Sequence, residues 1–196
     1  MKLNAAFRSA AQMGLLSGIL ALSGCVAATV GLITVTTVSV AKDPRTFGTF
    51  VDDNVIEANV LKDMVSDPLM DGTHVSTTVV NAVALLTGEV SSVEQKLRAA
   101  AIANRYQGVT QVVNQIDLTE KSSLTSRSND SLITAKVKTA LIKSKAVPSN
   151  NIKVVTERGV VYLMGIVSGT EGAEAVRLTQ QVGGVERIVK VFMTSG

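Results

Sequence analysis

The sequence predicts an α+β protein made of two tandem copies of one α-β-β-α-β unit, each a sandwich of a three-stranded sheet and two helices. Three observations carry that expectation. The chain aligns with itself at an offset of 77 residues. Apolar residues spaced by four open each copy, which places them on one helix face. Runs of alternating character rich in Val, Leu and Thr follow, which is the period of half-buried strands.

At the 77-residue offset Asp53, Ile56, Ala58, Val60, Leu86, Gly88 and Val90 fall on Asp130, Ile133, Ala135, Val137, Leu163, Gly165 and Val167. Further on, Gly108-Val109 matches Gly184-Val185 at an offset of 76, so one residue is lost in between. The units span 52–120 and 130–196, joined by a linker at 121–129. The first helix of each carries Ile56, Val60 and Met64, or Ile133, Val137 and Leu141. Asp52 or Asp53, and Asp130, stand where an N-cap belongs, and a carboxylate also suits the positive end of a helix. Strands are expected at 75–79 and 83–87, and at 152–156 and 160–164. Glu157-Arg158-Gly159 reads as a hairpin turn with Gly159 free to take positive φ; the first unit has Ala82 in that place. Second helices are expected at 93–105 and 171–182, and closing strands at 109–118 and 185–193. Gly88 and Gly165 end a strand, where glycine permits close backbone approach, so both are read as structural.

Composition narrows the chemistry. Only 18% of residues are charged, 46% are hydrophobic and 3% are aromatic, with no Trp. That excludes a solvated disordered chain and gives no stacking platform for single-stranded nucleic acid. One cysteine, Cys25, and one histidine, His74, argue against an intramolecular disulfide, a structural zinc cluster or a Cys-His nucleophile. His74 reads as a solvated residue in the polar loop Asp71-Gly72-Thr73-His74, and the acidic residues show no paired spacing. No Walker-type loop occurs. Gly169-Thr-Glu-Gly172 matches the four-residue GxxG of KH domains, but an acidic residue inside it favours a plain helix start. No catalytic residue, metal ligand, cofactor or nucleic-acid partner is expected.

The first 24 residues carry Lys2 and Arg8 without an acidic residue, then an apolar run from Ala10 to Leu22. This is the layout of a secretory signal peptide. It ends in Leu22-Ser23-Gly24-Cys25, which resembles the bacterial lipobox. The resemblance implies cleavage before Cys25, acylation of its thiol (palmitate) and new amine, and a tether at 25–51. Two or three acyl chains hold a protein on a membrane where one is marginal. Val26, where an Asp would resemble an inner-membrane retention signal, implies the outer membrane facing the periplasm. The alternative is one uncleaved membrane-spanning helix over 10–41, against which Thr29, Thr34, Thr36 and Thr37 count by propensity. Loss of Lys2 and Arg8 leaves the mature chain near charge balance, so no general attraction to nucleic acid follows.

The α-β-β-α-β order with the strings Val83-Ala-Leu-Leu-Thr-Gly-Glu-Val90 and Val160-Val-Tyr-Leu-Met-Gly-Ile-Val167 resembles the BON domain. A lipobox followed by two such units resembles the dual-BON outer-membrane lipoproteins over nearly the whole chain. The two units differ in charge. Residues 52–117 hold four basic and nine acidic residues, whereas 130–196 hold nine basic and five acidic. On a helical wheel Leu132, Lys136, Thr139 and Lys143 share one face of the second unit's first helix, with Lys138, Ile142 and Lys145 beside it. Apolar side chains among lysines suit a membrane interface; a solvated face docking on the acidic first unit is the other reading. The family resemblance implies that this helix binds anionic phospholipid such as phosphatidylglycerol, through Leu132, Lys136, Lys138, Thr139, Ile142 and Lys143. Relatives carry an inserting Trp at the Leu132 position, so Leu implies weaker binding. The resemblance also implies roles in envelope integrity and at the division site. The competing expectation is a periplasmic adaptor for outer-membrane assembly proteins.

Overall fold

The computed structural model describes residues 47–194. The expected signal peptide, Cys25 and most of the tether lie outside the described residues. Those described fall in one compact unit that contains both repeats.

The first repeat runs α1 (Phe47–Ser66), β1 (His74–Val80), β2 (Val83–Val90), α2 (Val93–Ala103), β3 (Gln111–Asn114) and β4 (Asp117–Leu118). The second runs α3 (Leu124–Lys143), β5 (Ile152–Glu157), β6 (Val160–Val167), α4 (Gly169–Gln180) and β7 (Arg187–Thr194). In each, an antiparallel hairpin is followed by a helical crossover that returns the closing strand parallel to the central one, in order β1-β2-β3 and β5-β6-β7. The closing strand of the first repeat is not continuous: Gln115 and Ile116 interrupt it, and Ile116 is fully buried in the core before β4 resumes pairing with β2. Residues 169–172 are the first turn of α4, held by a reciprocal Ser168–Glu171 capping box.

Both opening helices begin earlier than expected. Residues 47–51 belong to α1 rather than the tether, and residues 124–129 to α3 rather than a linker, with Ser123 as the N-cap accepting from the Ser126 N–H. Asp53 and Asp130 are therefore not N-caps. They sit inside the helices, buried, and each carboxylate reaches across to a hairpin turn. Asp53 accepts from the backbone N–H of Asn81 and Ala82 at 2.7 and 2.9 Å. Asp130 accepts from Arg158 and Gly159 at 3.0 and 2.9 Å. Both turns have two successive positive-φ residues, 49° and 64° at Asn81-Ala82 and 50° and 72° at Arg158-Gly159. That is the tight hairpin geometry whose twist matches the strands. A charged acceptor satisfying two turn N–H groups makes a strong helix-to-hairpin latch.

The helices cover one face of each sheet. Ile56, Val60 and Met64 meet Ala84, Leu86 and Val90 in the first repeat, and Ile133, Val137 and Leu141 meet Val154, Val161 and Leu163 in the second. The other faces meet each other. Val80, Val83 and Leu85 pack with Val160, Tyr162 and Met164 in a third core that joins the repeats. The central strands are consequently buried on both sides, every residue of β2 and all but Ile166 of β6, not half-buried as the alternation suggested.

Two backbone positions are testable. Gly88 and Gly165 have φ of +113° and +155°, and an added Cβ would overlap the carbonyl oxygen of His74 or Asn151 on the paired strand. Gly165→Val should therefore lower stability by more than about 4 kcal/mol and abolish a cooperative melt of the second repeat; an unchanged melting temperature would refute the steric account. Ala82 holds a left-handed φ that costs a non-glycine residue roughly 1–2 kcal/mol. Ala82→Gly should stabilise the fold by up to about 1 kcal/mol after the unfolded-state entropy is counted and so raise the melting temperature, whereas the same change at an exposed helical alanine such as Ala135 should lower it.

Candidate functional site

The exposed face of α3 contains the residues singled out for membrane contact. With Ile133, Val137 and Leu141 committed to the core, the 3.6-residue period leaves Leu132, Lys136, Lys138, Thr139, Ile142 and Lys143 outside, and all six are exposed. Leu132 is 58% and Ile142 69% accessible, so neither is serving the core. The Thr139 hydroxyl donates to the Ala135 carbonyl at 2.8 Å and stays within the helix. The lysines face solvent, because the repeats join through their sheets and not through this helix. Docking of the basic face on the acidic first repeat is thereby ruled out.

Structure adds what the sequence reading missed: α1 exposes apolar residues at the same repeat positions. Val55, the counterpart of Leu132, is 53% accessible, and Val65, the counterpart of Ile142, is 80% accessible. The lysines are what differ. Lys136, Lys138 and Lys143 correspond to Asn59, Leu61 and Ser66. An exposed apolar pair thus belongs to both helices, and a cationic surround only to α3. The 77-residue alignment contained this signal.

A second constellation lies where the two sheets meet. His74 opens β1 and pairs across the strands with Glu89 of β2, and Glu157 closes β5 on the facing sheet. The His74 Nδ1 is 3.0 Å from Glu89 Oε2 and 4.0 Å from Glu157 Oε1. One ligand-type atom from each residue lies within 4.8 Å of the others. Glu89 is fully buried; its Oε2 accepts the Ser122 hydroxyl at 3.3 Å, while its Oε1 has no hydrogen-bond partner. Burial, together with the nearby Glu89 and Asp130 carboxylates, pushes the Glu157 carboxyl up to about 7, with Arg127 and Arg158 opposing.

This corrects two readings. His74 is not a solvated loop residue: its side chain is 22% accessible and bonded to a buried carboxylate. The acidic residues are not simply scattered, since Glu89 and Glu157 converge from different repeats. The composition argument against metal ligands counted thiol and imidazole donors and left out carboxylates, which a fold can gather from distant positions.

Among the described residues no helix is long and apolar enough to cross a membrane. The pattern of the BON domain matches residues 52–120 and 129–193. The chain is 34% identical over 179 residues to the outer membrane lipoprotein DolP of Haemophilus influenzae, covering 91% of this chain and 92% of that protein. It is 33% identical to a 21 kDa hemolysin of Actinobacillus pleuropneumoniae over 76% of this chain and 78% of the other. With the osmotically-inducible protein Y of Escherichia coli it shares 31% identity over 72% of each chain. Two matched units, the same element order in each and this extent of identity establish that the chain belongs to the BON domain family, with two such domains in tandem.

Proposed function

We propose that this protein is a non-enzymatic lipoprotein of the bacterial outer membrane, anchored through Cys25 on the periplasmic side, whose second BON domain binds anionic phospholipid through α3. The observation that carries the proposal is the exposed pair Leu132 and Ile142 set among Lys136, Lys138 and Lys143 on a helix face that no part of the described fold covers. Leucine and isoleucine supply insertion into the acyl boundary, and lysines supply attraction to headgroup phosphate. Each lysine near an anionic surface is worth about 1 kcal/mol, and salt screens it. The chain's similarity to an outer membrane lipoprotein of Haemophilus influenzae supports the address. Such a docking element places an acylated protein at lipid-defined regions of the envelope, in keeping with a role in envelope integrity and at the division site.

The paired helices supply an internal control. If the lysines select the lipid, α3 discriminates headgroup charge and α1, with equivalent apolar residues, does not. Residues 42–196, lacking the acyl anchor, should float with vesicles containing phosphatidylglycerol and not with neutral vesicles, and recovery should fall as salt rises. Leu132→Glu or the pair Lys136→Glu and Lys143→Glu should lower recovery at least fivefold, whereas Val55→Glu should leave it within twofold. Equal recovery from both vesicle types, or none from either, would overturn lipid reading by α3. A stoichiometric protein captured from membrane extract through Leu132 and Ile142 would instead favour an adaptor for outer-membrane assembly proteins.

A further inference from the structure

We infer that His74, Glu89 and Glu157 form a binding site for one zinc-type divalent cation, which clasps the two BON domains together. The donors come from both: an imidazole nitrogen and a carboxylate from the first sheet, a second carboxylate from the facing sheet. Zinc takes nitrogen at about 2.0–2.1 Å and carboxylate oxygen at about 2.0–2.2 Å, so tetrahedral ligand atoms stand roughly 3.4 Å apart. The 3.0 and 4.0 Å separations from His74 Nδ1 bracket that spacing. The ligand atoms lie within 4.8 Å of one another, so side-chain rotations on the order of 1 Å draw the set to tetrahedral spacing and leave a fourth position for water.

An independent observation points to a ligand. Glu89 is fully inaccessible, yet its Oε1 has no hydrogen-bond partner. His74 and Ser122 satisfy Oε2 alone, and a buried carboxylate oxygen left unbonded is costly, since buried charges are normally paired or coordinate metal. The Ser122 hydroxyl on Oε2 is the outer contact that orients a ligating carboxylate. The imidazole selects the cation class, since nitrogen donors suit zinc and its transition-metal neighbours, while calcium and magnesium take oxygen ligands.

The site is also no requirement of the BON unit. The 77-residue offset carries His74, Glu89 and Glu157 onto Asn151, Ile166 and Val80, none of which ionises. The same positions can therefore be filled with uncharged residues, and only one of the two equivalent sets gathers ligand chemistry. The joint core beside it is built of apolar side chains such as Leu85 and Met164, with Tyr162.

The test is a zinc titration of the full-length chain in detergent micelles after stripping with EDTA, with Cys25→Ser in every sample so that no thiol competes. Calorimetry should show one zinc per chain with a dissociation constant of about 10 μM or lower, and zinc should raise the melting temperature reversibly. Its X-ray absorption should fit one imidazole nitrogen with oxygen neighbours. His74→Gln and Glu157→Gln should each weaken binding at least tenfold and remove the thermal shift. Glu157→Gln takes away one of two close carboxylates, so its zinc-free melting temperature should equal or exceed that of the parent. That variant decides the matter even if His74→Gln fails to fold. Absence of binding, parental affinity in Glu157→Gln, or equal shifts with calcium or magnesium would each overturn the site.

Discussion

The packing of one sheet on the other is the constraint on which the rest of this molecule depends. Each BON unit has two helices and a sheet, and two helices cover only one sheet face. The opposite face must be hidden from water, and here each unit hides the other's. Burying apolar area of this kind is worth roughly 25 cal/mol per Å², and it explains why β2 and β6 carry apolar residues on both sides. Tandem duplication is thus a structural solution as well as an evolutionary record: either unit alone would expose a row of valine, leucine or methionine.

Joining through the sheets also decides which surfaces remain free. The helices lie on the outside of the sandwich, so α1 and α3 keep one full face each toward solvent. Two copies of one helix, equal in their apolar pair, have diverged in charge. The acidic first unit and the basic second unit differ on these exposed helix faces, while the core stripe of the helix stays apolar in both, as Ile56, Val60 and Met64 against Ile133, Val137 and Leu141. Selection for a partner acts on such a face with little cost to folding, because Lys136, Lys138 and Lys143 touch nothing that the core needs.

Much of this was legible in the sequence because the chain contains its own comparison. The 77-residue offset and the four-residue apolar spacing located helices, strands and the second core stripe without reference to another protein. What failed did so for definable reasons. Asp53 and Asp130 look locally like N-caps, being carboxylates just before an apolar stripe, but their hydrogen-bond partners lie 28 and 29 residues downstream. No local rule reaches that far. The two-sided burial of β2 was half visible, since Val83-Ala-Leu-Leu is a continuous apolar run and not an alternation. The face of α3 was readable on a wheel, and the matching pair on α1 was present in the alignment but had no counterparts of Lys136, Lys138 and Lys143 around it to mark it. His74, Glu89 and Glu157 come together only through packing between units, so spacing could not show them. The one available sign was Glu89 itself, a charged residue inside a strand string whose copy has Ile166.

That substitution bears on how the interface is specified. A sheet-on-sheet contact made only of valine, leucine and methionine is permissive, since side chains of similar volume tolerate sliding and repacking. A half-buried imidazole and two buried carboxylates do not tolerate it, because any slip leaves a charge or hydrogen-bonding atom without its partner at a cost of several kcal/mol. The latches from Asp53 and Asp130 fix each helix on its own hairpin, and the polar cluster fixes one hairpin end against the other sheet. Stability is thus supplied by the apolar rows, and register by the few polar groups placed among them. Glu157 shows the two roles meeting: it immediately precedes the Arg158 and Gly159 amides that Asp130 holds, so the latch that sets its strand also positions its carboxylate at the joint.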